Sequence, residues 1–354
     1  MDRRRAVDVL IVSLGSTAGL RRADEDLGRS LERAGASMIL ATAERPASMR
    51  TLMLTDLAWA RAARAAARAA LAGLERPPRA IVYSSTTAAL LWPQPGAIRF
   101  DAPSAANRRG RHGLWQRPLE RLRLRRAPLL LPWSEGGRDE LPPGVGARGR
   151  TLVLPVCIEP SSPVEALAPR AASEELGARD ITAITYAANP SKKGLDRVLA
   201  AWREVRAGRP PGEELLVVGT PPGELAASGL VPEGEPGIRV LGALAPRDYR
   251  ALVRRARVFV CAPRREDYGL AQLEALADGC RLVTTPAPGP YAALPIARAL
   301  DPRLVDDDLA LALRTALEDP LPGYAAAARE ALAPFGREPL DRLVAERLLP
   351  RLLG

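Results

Sequence analysis

The chain has 354 residues, with 51 basic and 41 acidic side chains, 47% hydrophobic residues and three cysteines. That length predicts about two domains, and proline plus glycine, roughly 18% of the chain, stays below the level of roughly 25–30% at which composition argues for disorder. Cys157, Cys261 and Cys280 are too few for a disulfide framework, which points to a reducing, cytoplasmic compartment, and no run approaches the ~18 apolar residues of a spanning helix.

Charge is unevenly placed. Residues 1–160 hold 26 basic against 15 acidic side chains, whereas residues 161–354 hold 25 against 26. Such asymmetry predicts an anionic partner for the first half. All but two of the basic residues are arginine, so the pair Lys192 and Lys193 stands out.

In chain order, MDRRRAVDVLIVSLG resembles a signal peptide only in its basic start. Its apolar run is short, contains Asp8 and lacks a small-residue cleavage site, so it reads as a first strand, Val7–Leu14. Short apolar runs then alternate with longer periodic segments, the signature of parallel strands connected by helices. The predicted strands of the first half are Met38–Thr42, Ala80–Tyr83, Ala97–Phe100, Leu129–Leu131 and Thr151–Leu154, with helices at Leu20–Ala34 and Leu52–Leu74 among them. The proline- and serine-rich Leu154–Pro169 marks a boundary. The second half repeats the scheme with Ile181–Tyr186, Leu215–Val218, Ile238–Leu241, Val258–Cys261 and Leu282–Thr284, followed by a helical tail interrupted by Pro334 and Pro339. The expected fold class is α/β: two Rossmann-like domains facing a central cleft, with ligands at the carboxyl ends of the strands. Expected boundaries are 1–160, 161–335, and a C-terminal helix over 336–354 packing back on the first domain.

The segment VFVCAPRREDYGLAQLEALADGCRLVTT concentrates the chemistry. A strand ends at Cys261, a loop carries Glu266 and Gly269, and a helix follows with Glu274 on its second turn. A helix N-terminus offers free N–H groups to a phosphate, and glycine lets the backbone approach. Spacing alone leaves both carboxylates readable as ordinary solvated ones, and a loop carboxylate such as Glu266 is expected to add little to the core. In ITYAANPSKKGLDRVLAAW a polar loop with the lysine pair separates a strand from a helix.

These residues resemble the E-x7-E element of retaining glycosyltransferases of the B-type fold (GT-B), especially glycosyltransferase family 4. The resemblance implies that Glu266 faces the transferred sugar and that Glu274 holds the ribose hydroxyls of a nucleotide-diphospho-sugar. Tyr268, Gly269 and Leu270 lie between them in the donor site. It implies that Lys193, with Lys192 as its near alternative, binds the diphosphate beside Asn189. The arginine that accompanies this lysine in the family is missing, since Ala188 and Asn189 hold that region, and Arg264 or Arg265 is the expected substitute. Gly219, ending a strand in LLVVGTPPGEL, matches a nucleotide-contacting glycine, and LPVCIEP resembles the family's interdomain segment. The match is strong over about residues 150–290 and covers the first half only in layout.

In the first half, the loop GSTAGLRRADEDL offers Gly19, and less well Gly15, to a phosphate or sugar. Asp24–Asp26 and Asp306–Asp308 contain D-x-D, read as solvated acids, and neither metal nor other cofactor is expected. The family places a histidine after the fourth strand; here Phe100 and Asp101 hold that place, which makes Asp101 the candidate base or acceptor ligand, catalytic with Glu266 and Lys193. The only histidine, His112, lies in an arginine-rich loop. From Arg99 to Arg126 nine arginines face two acidic residues, and one predicted helix there sets Trp115, Leu119 and Leu122 on one face. An anionic acceptor, lipid-linked or on the inner face of the membrane, is the expected partner. The rival reading is a non-catalytic sugar-nucleotide or nucleic-acid binding protein of the same fold. With 4% aromatic residues the chain lacks the stacking platforms of single-strand binders, so no nucleic acid is expected.

Overall fold

The structure, a computed structural model, describes residues 6–354 except 48, 50, 109, 147–148 and 162–178. The chain divides into two compact units, one of residues 1–157 with 335–354 and one of residues 158–334. Each is a five-stranded, wholly parallel sheet between helices.

Unit 1 holds Val9–Ser13 (β1), Met38–Thr42 (β2), Ala80–Tyr83 (β3), Ala97–Phe100 (β4) and Leu130–Pro132 (β5), in the order β2-β1-β3-β4-β5. Every β1 residue is buried, as a strand covered by helices on both faces requires. Thr151–Leu154 is not a sixth strand. Leu152 and Leu154 donate to the carbonyls of Leu130 and Pro132, at 2.9 and 2.8 Å, and only one bridge forms, between Leu130 and Thr151. Pro132 has no N–H to return the next bond of the ladder.

The tail folds with unit 1: Leu340, Val344 and Leu348 are buried in a core cluster with Leu27, Leu31 and β1. Arg33 of helix Ala18–Arg33 donates to Asp341 of helix Arg337–Leu343 at 2.6 and 2.8 Å. Pro339 does not interrupt that helix, because it stands in the first turn, where N–H groups have no intrahelical acceptor. Helix Gln116–Arg126 is turned relative to expectation. Its buried residues are Gln116, Glu120 and Leu124, while Leu122 is exposed. Glu120 accepts the N–H of Ser104 at 3.0 and 3.1 Å, and Arg123 donates to the carbonyl of Leu90 and lies over the Trp92 ring.

Unit 2 holds Ile181–Tyr186 (β6), Leu215–Val218 (β7), Ile238–Gly242 (β8), Ala256–Cys261 (β9) and Arg281–Thr284 (β10), in the order β10-β9-β6-β7-β8. Numbered from β6, this is the Rossmann order 3-2-1-4-5 read from the far edge. Chain direction across the sheet reverses between β6 and β9, where such sheets bind ligands.

Candidate functional site

The two motif loops of unit 2 leave the sheet from the adjacent strands β6 and β9, on either side of that reversal. After β6, Asn189 caps a single helical turn, Pro190–Lys193, by accepting the N–H of Lys192 at 3.0 Å. Gly194 ends the turn at φ +62°, and helix Leu195–Arg206 starts at once. Any side chain at Gly194 would collide with the carbonyl of Ala262, beyond β9. The loops are therefore in backbone contact, and the N–H of Arg264 donates to the carbonyl of Lys192 at 3.1 Å.

This contact brings the charged groups together. Lys193 Nζ donates to Glu266 Oε2 at 2.7 Å, and Lys192 Nζ to Asp267 Oδ2 at 2.7 Å. The Glu266 side chain is 6% exposed and that of Lys193 22%, so the carboxylate is buried and the ammonium reaches the surface. Gln272 Nε2 also donates to Glu266 Oε2, at 3.0 Å. Glu266 is thus not the solvated carboxylate that spacing alone allows. Behind it, burial pushes the Cys261 thiol up and the Tyr291 phenol well above its usual range, so both are neutral neighbours of the ion pair at pH 7.

Gly269 caps helix Leu270–Ala277 at φ +89°, in the left-handed region, with no side-chain cap. A Cβ there would stand 2.7 Å from the Tyr291 ring. Tyr268 is buried and Leu270 half-buried at this turn. Glu274, on the second turn, lies 3.2 Å from Arg250 Nη1 and is 15% exposed. Of the substitute arginines, Arg264 Nη2 donates to Asp196 at 2.7 Å, and Arg265 Nε to Asp267 at 3.2 Å. A cavity of about 370 Å³ lies beside this cluster, lined by Asn189, Ser191, Asp196, Glu224 and Arg264 among others. Gly219 follows β7 directly.

The remaining sequence-based candidates belong to unit 1. Gly15, after β1, donates to Ser13 Oγ at 3.0 Å, and Gly19 lies in the first turn of helix Ala18–Arg33. Asp101 follows β4, is half-buried, and accepts its neighbour's N–H at 2.8 Å. His112 belongs to the short turn Gly110–Gly113, its side chain outside the described residues. Asp24 and Asp26 are buried rather than solvated. Asp24 pairs with the buried Arg99 at 3.2 Å, and burial raises its carboxyl despite that charge. Among the described residues no group of three or more His, Cys, Asp or Glu is arranged to hold a metal.

Gln272, Asp267 and Arg250 escaped the sequence reading. The one available signal was a polar residue at position 272 in the apolar run LAQLEALA.

Residues 179–319 match the family model described as glycosyl transferases group 1. The matched segment lies within unit 2 and contains both motif loops. Both units together share the B-type fold of solved glycosyltransferases. WaaG, a glycosyltransferase involved in lipopolysaccharide biosynthesis, is 16% identical, with a TM-score of 0.67 over 96% of this chain and 99% of its own. HepE of Anabaena, solved with UDP and glucose, is 16% identical, with a TM-score of 0.63 over 97% and 99%. Sucrose-phosphate synthase of Thermosynechococcus elongatus is 18% identical, with a TM-score of 0.63 over 98% and 99%. Comparison with curated proteins finds no match.

Proposed function

We propose that this protein is a retaining glycosyltransferase that takes a sugar from a nucleotide-diphospho-sugar bound by unit 2. The observation that carries the reading is the meeting of Lys193 and Glu266, from loops after neighbouring strands, at the reversal point of a Rossmann-ordered sheet. The complex of HepE with UDP and glucose supports a donor of this class.

In this reading the diphosphate lies against Lys193, Lys192 and the helix start after Gly269, and it competes with Glu266 and Asp267 for the two ammonium groups. Arg264 supplies the charge missing at Ala188, since it lines one cavity with Asn189. Glu266 faces the sugar and Glu274 the ribose. The bond from the anomeric carbon to the diphosphate breaks, the acceptor oxygen bonds that carbon on the same face, and the acceptor proton passes to the leaving phosphate. Preorganised positive charge is what such a departure needs, and losing one contact of this type costs roughly 2.7–4 kcal/mol of barrier lowering. No metal or other cofactor takes part in the proposed reaction, so turnover is expected to survive a chelator.

The acceptor side is assigned to unit 1, with Asp101 and the loop of Gly15 and Gly19 as its candidates. The acceptor is proposed to be anionic or lipid-linked, on the inner face of the cytoplasmic membrane. Exposed Arg121, Arg125 and Arg126, with Leu122 exposed on the same helix, support this. No described helix is long and apolar enough to cross a membrane.

The direct test is release of nucleoside diphosphate from a panel of UDP-, GDP- and ADP-sugars, with proton NMR of the sugar product. Release from one donor with retained anomeric configuration is expected. Inverted configuration would refute retention, and no release from any donor would favour the non-catalytic binding reading.

A further inference from the structure

Glu274 does not stand alone on its helix. Arg250, in helix Pro246–Arg255, has a buried side chain whose guanidinium reaches three groups. Nη1 lies 3.2 Å from Glu274 Oε1, Nε donates to Asp278 Oδ2 at 2.6 Å, and Nη2 donates to the carbonyl of Glu159 at 3.0 Å. Asp278 is itself held, because its Oδ1 accepts the N–H and the hydroxyl of Ser161 at 2.8 and 2.9 Å. The fork is thus fixed by Asp278 and the Glu159–Ser161 backbone, and it presents its remaining edge to Glu274. The packed rings of Tyr186 and Tyr249, 5.3 Å apart, feel the same carboxylate, and burial, together with its charge, keeps both phenols protonated.

A planar guanidinium can serve three acceptors in fixed directions; an ammonium on a flexible stem cannot reproduce that geometry. We propose that Arg250 is a positioning residue for the nucleotide site. It holds Glu274 oriented so that the carboxylate meets the ribose hydroxyls of a nucleoside diphosphate. This rests on the ribose role given to Glu274 under the proposed function, and no motif in the sequence assigns Arg250.

The test is calorimetric titration of the whole chain with whichever of UDP, GDP and ADP binds best, and with its 2′,3′-dideoxy analogue. Arg250→Lys is expected to weaken the ribonucleotide roughly 10-fold or more, the scale of a lost hydrogen bond to a charged group, and the dideoxy analogue by less than about twofold. Glu274→Gln is expected to abolish the discrimination between the two ligands. Should Arg250→Lys not fold, as judged by circular dichroism, Asp278→Ala, which removes the side-chain anchor of the guanidinium, is expected to lower the discrimination in the same direction. Equal losses for both ligands, or no loss for either, with Glu274→Gln still abolishing discrimination, would overturn the role of Arg250 alone. Unchanged discrimination in Glu274→Gln would overturn the ribose reading and this proposal with it.

Discussion

Glu266 accepts hydrogen bonds from Lys193 at 2.7 Å and from Gln272 at 3.0 Å. Neutralising it therefore does more than remove a group from the sugar. Glu266→Gln is expected to lower turnover roughly 100-fold or more, and it also leaves a lysine without its carboxylate. A stability loss of about 1–3 kcal/mol in urea unfolding follows, larger than the sequence-based expectation for a loop carboxylate. Lys193→Ala is expected to weaken a nucleoside diphosphate far more than the bare nucleoside in calorimetry. Equal losses would remove the phosphate role. Glu266, Glu274 and Lys193 were legible because their spacing and flanking small residues are local features. Asp267 and Arg250 were not, because their partners Lys192, Glu274 and Asp278 follow other strands and become neighbours only through the sheet order, and Gln272 was not, because only the turn at Gly269 brings it back onto Glu266.

At the scale of elements, short apolar runs read directly as strands, and β2, β3, β4, β6 and β7 stand at their expected bounds, the edge strand β2 although it is only half-buried. Amphipathic faces were harder. Helix Gln116–Arg126 buries Glu120 and turns Leu122 outward, since a carboxylate that receives Ser104 N–H and an arginine over Trp92 cover the positions that apolar spacing assigned to solvent. The turn at Gly269 is a backbone requirement: an alanine must adopt φ +89° and meet Tyr291 at 2.7 Å. Gly269→Ala is expected to cost about 1–3 kcal/mol and to impair donor binding with it, read by thermal unfolding with and without nucleotide. The tail gives a pH prediction. The hydrogen bond from Arg33 holds the Asp341 carboxyl below its ordinary value of 3.8, so its contribution is complete above that pH and is lost as pH falls through the lower folded value. Hydrogen exchange over Arg337–Leu343 should rise on acidification below about pH 4, and Asp341→Asn should remove that dependence.

For the molecule as a whole, the basic excess of the first half remains the feature that the donor site does not use. Arg123 is engaged with Leu90 and Trp92, so the membrane test belongs to Arg121, Arg125 and Arg126. Changing these three to Gln is expected to abolish co-sedimentation with anionic vesicles. Wild-type binding should weaken as salt rises from 0.1 to 1 M, where the screening length falls from about 10 to about 3 Å. Equal sedimentation with neutral vesicles would leave a small soluble acceptor.

The central claim is that the second unit binds a nucleotide-diphospho-sugar through Lys193, Glu266 and Glu274, and thermal unfolding against UDP-, GDP- and ADP-sugars tests it most directly. One donor should stabilise the wild-type chain by roughly 2.7 kcal/mol at about 100 times its dissociation constant, and the same concentration should stabilise Lys193→Ala, Glu266→Gln and Glu274→Gln distinctly less. No stabilisation of the wild type by any donor, or equal stabilisation of all three variants, would contradict it.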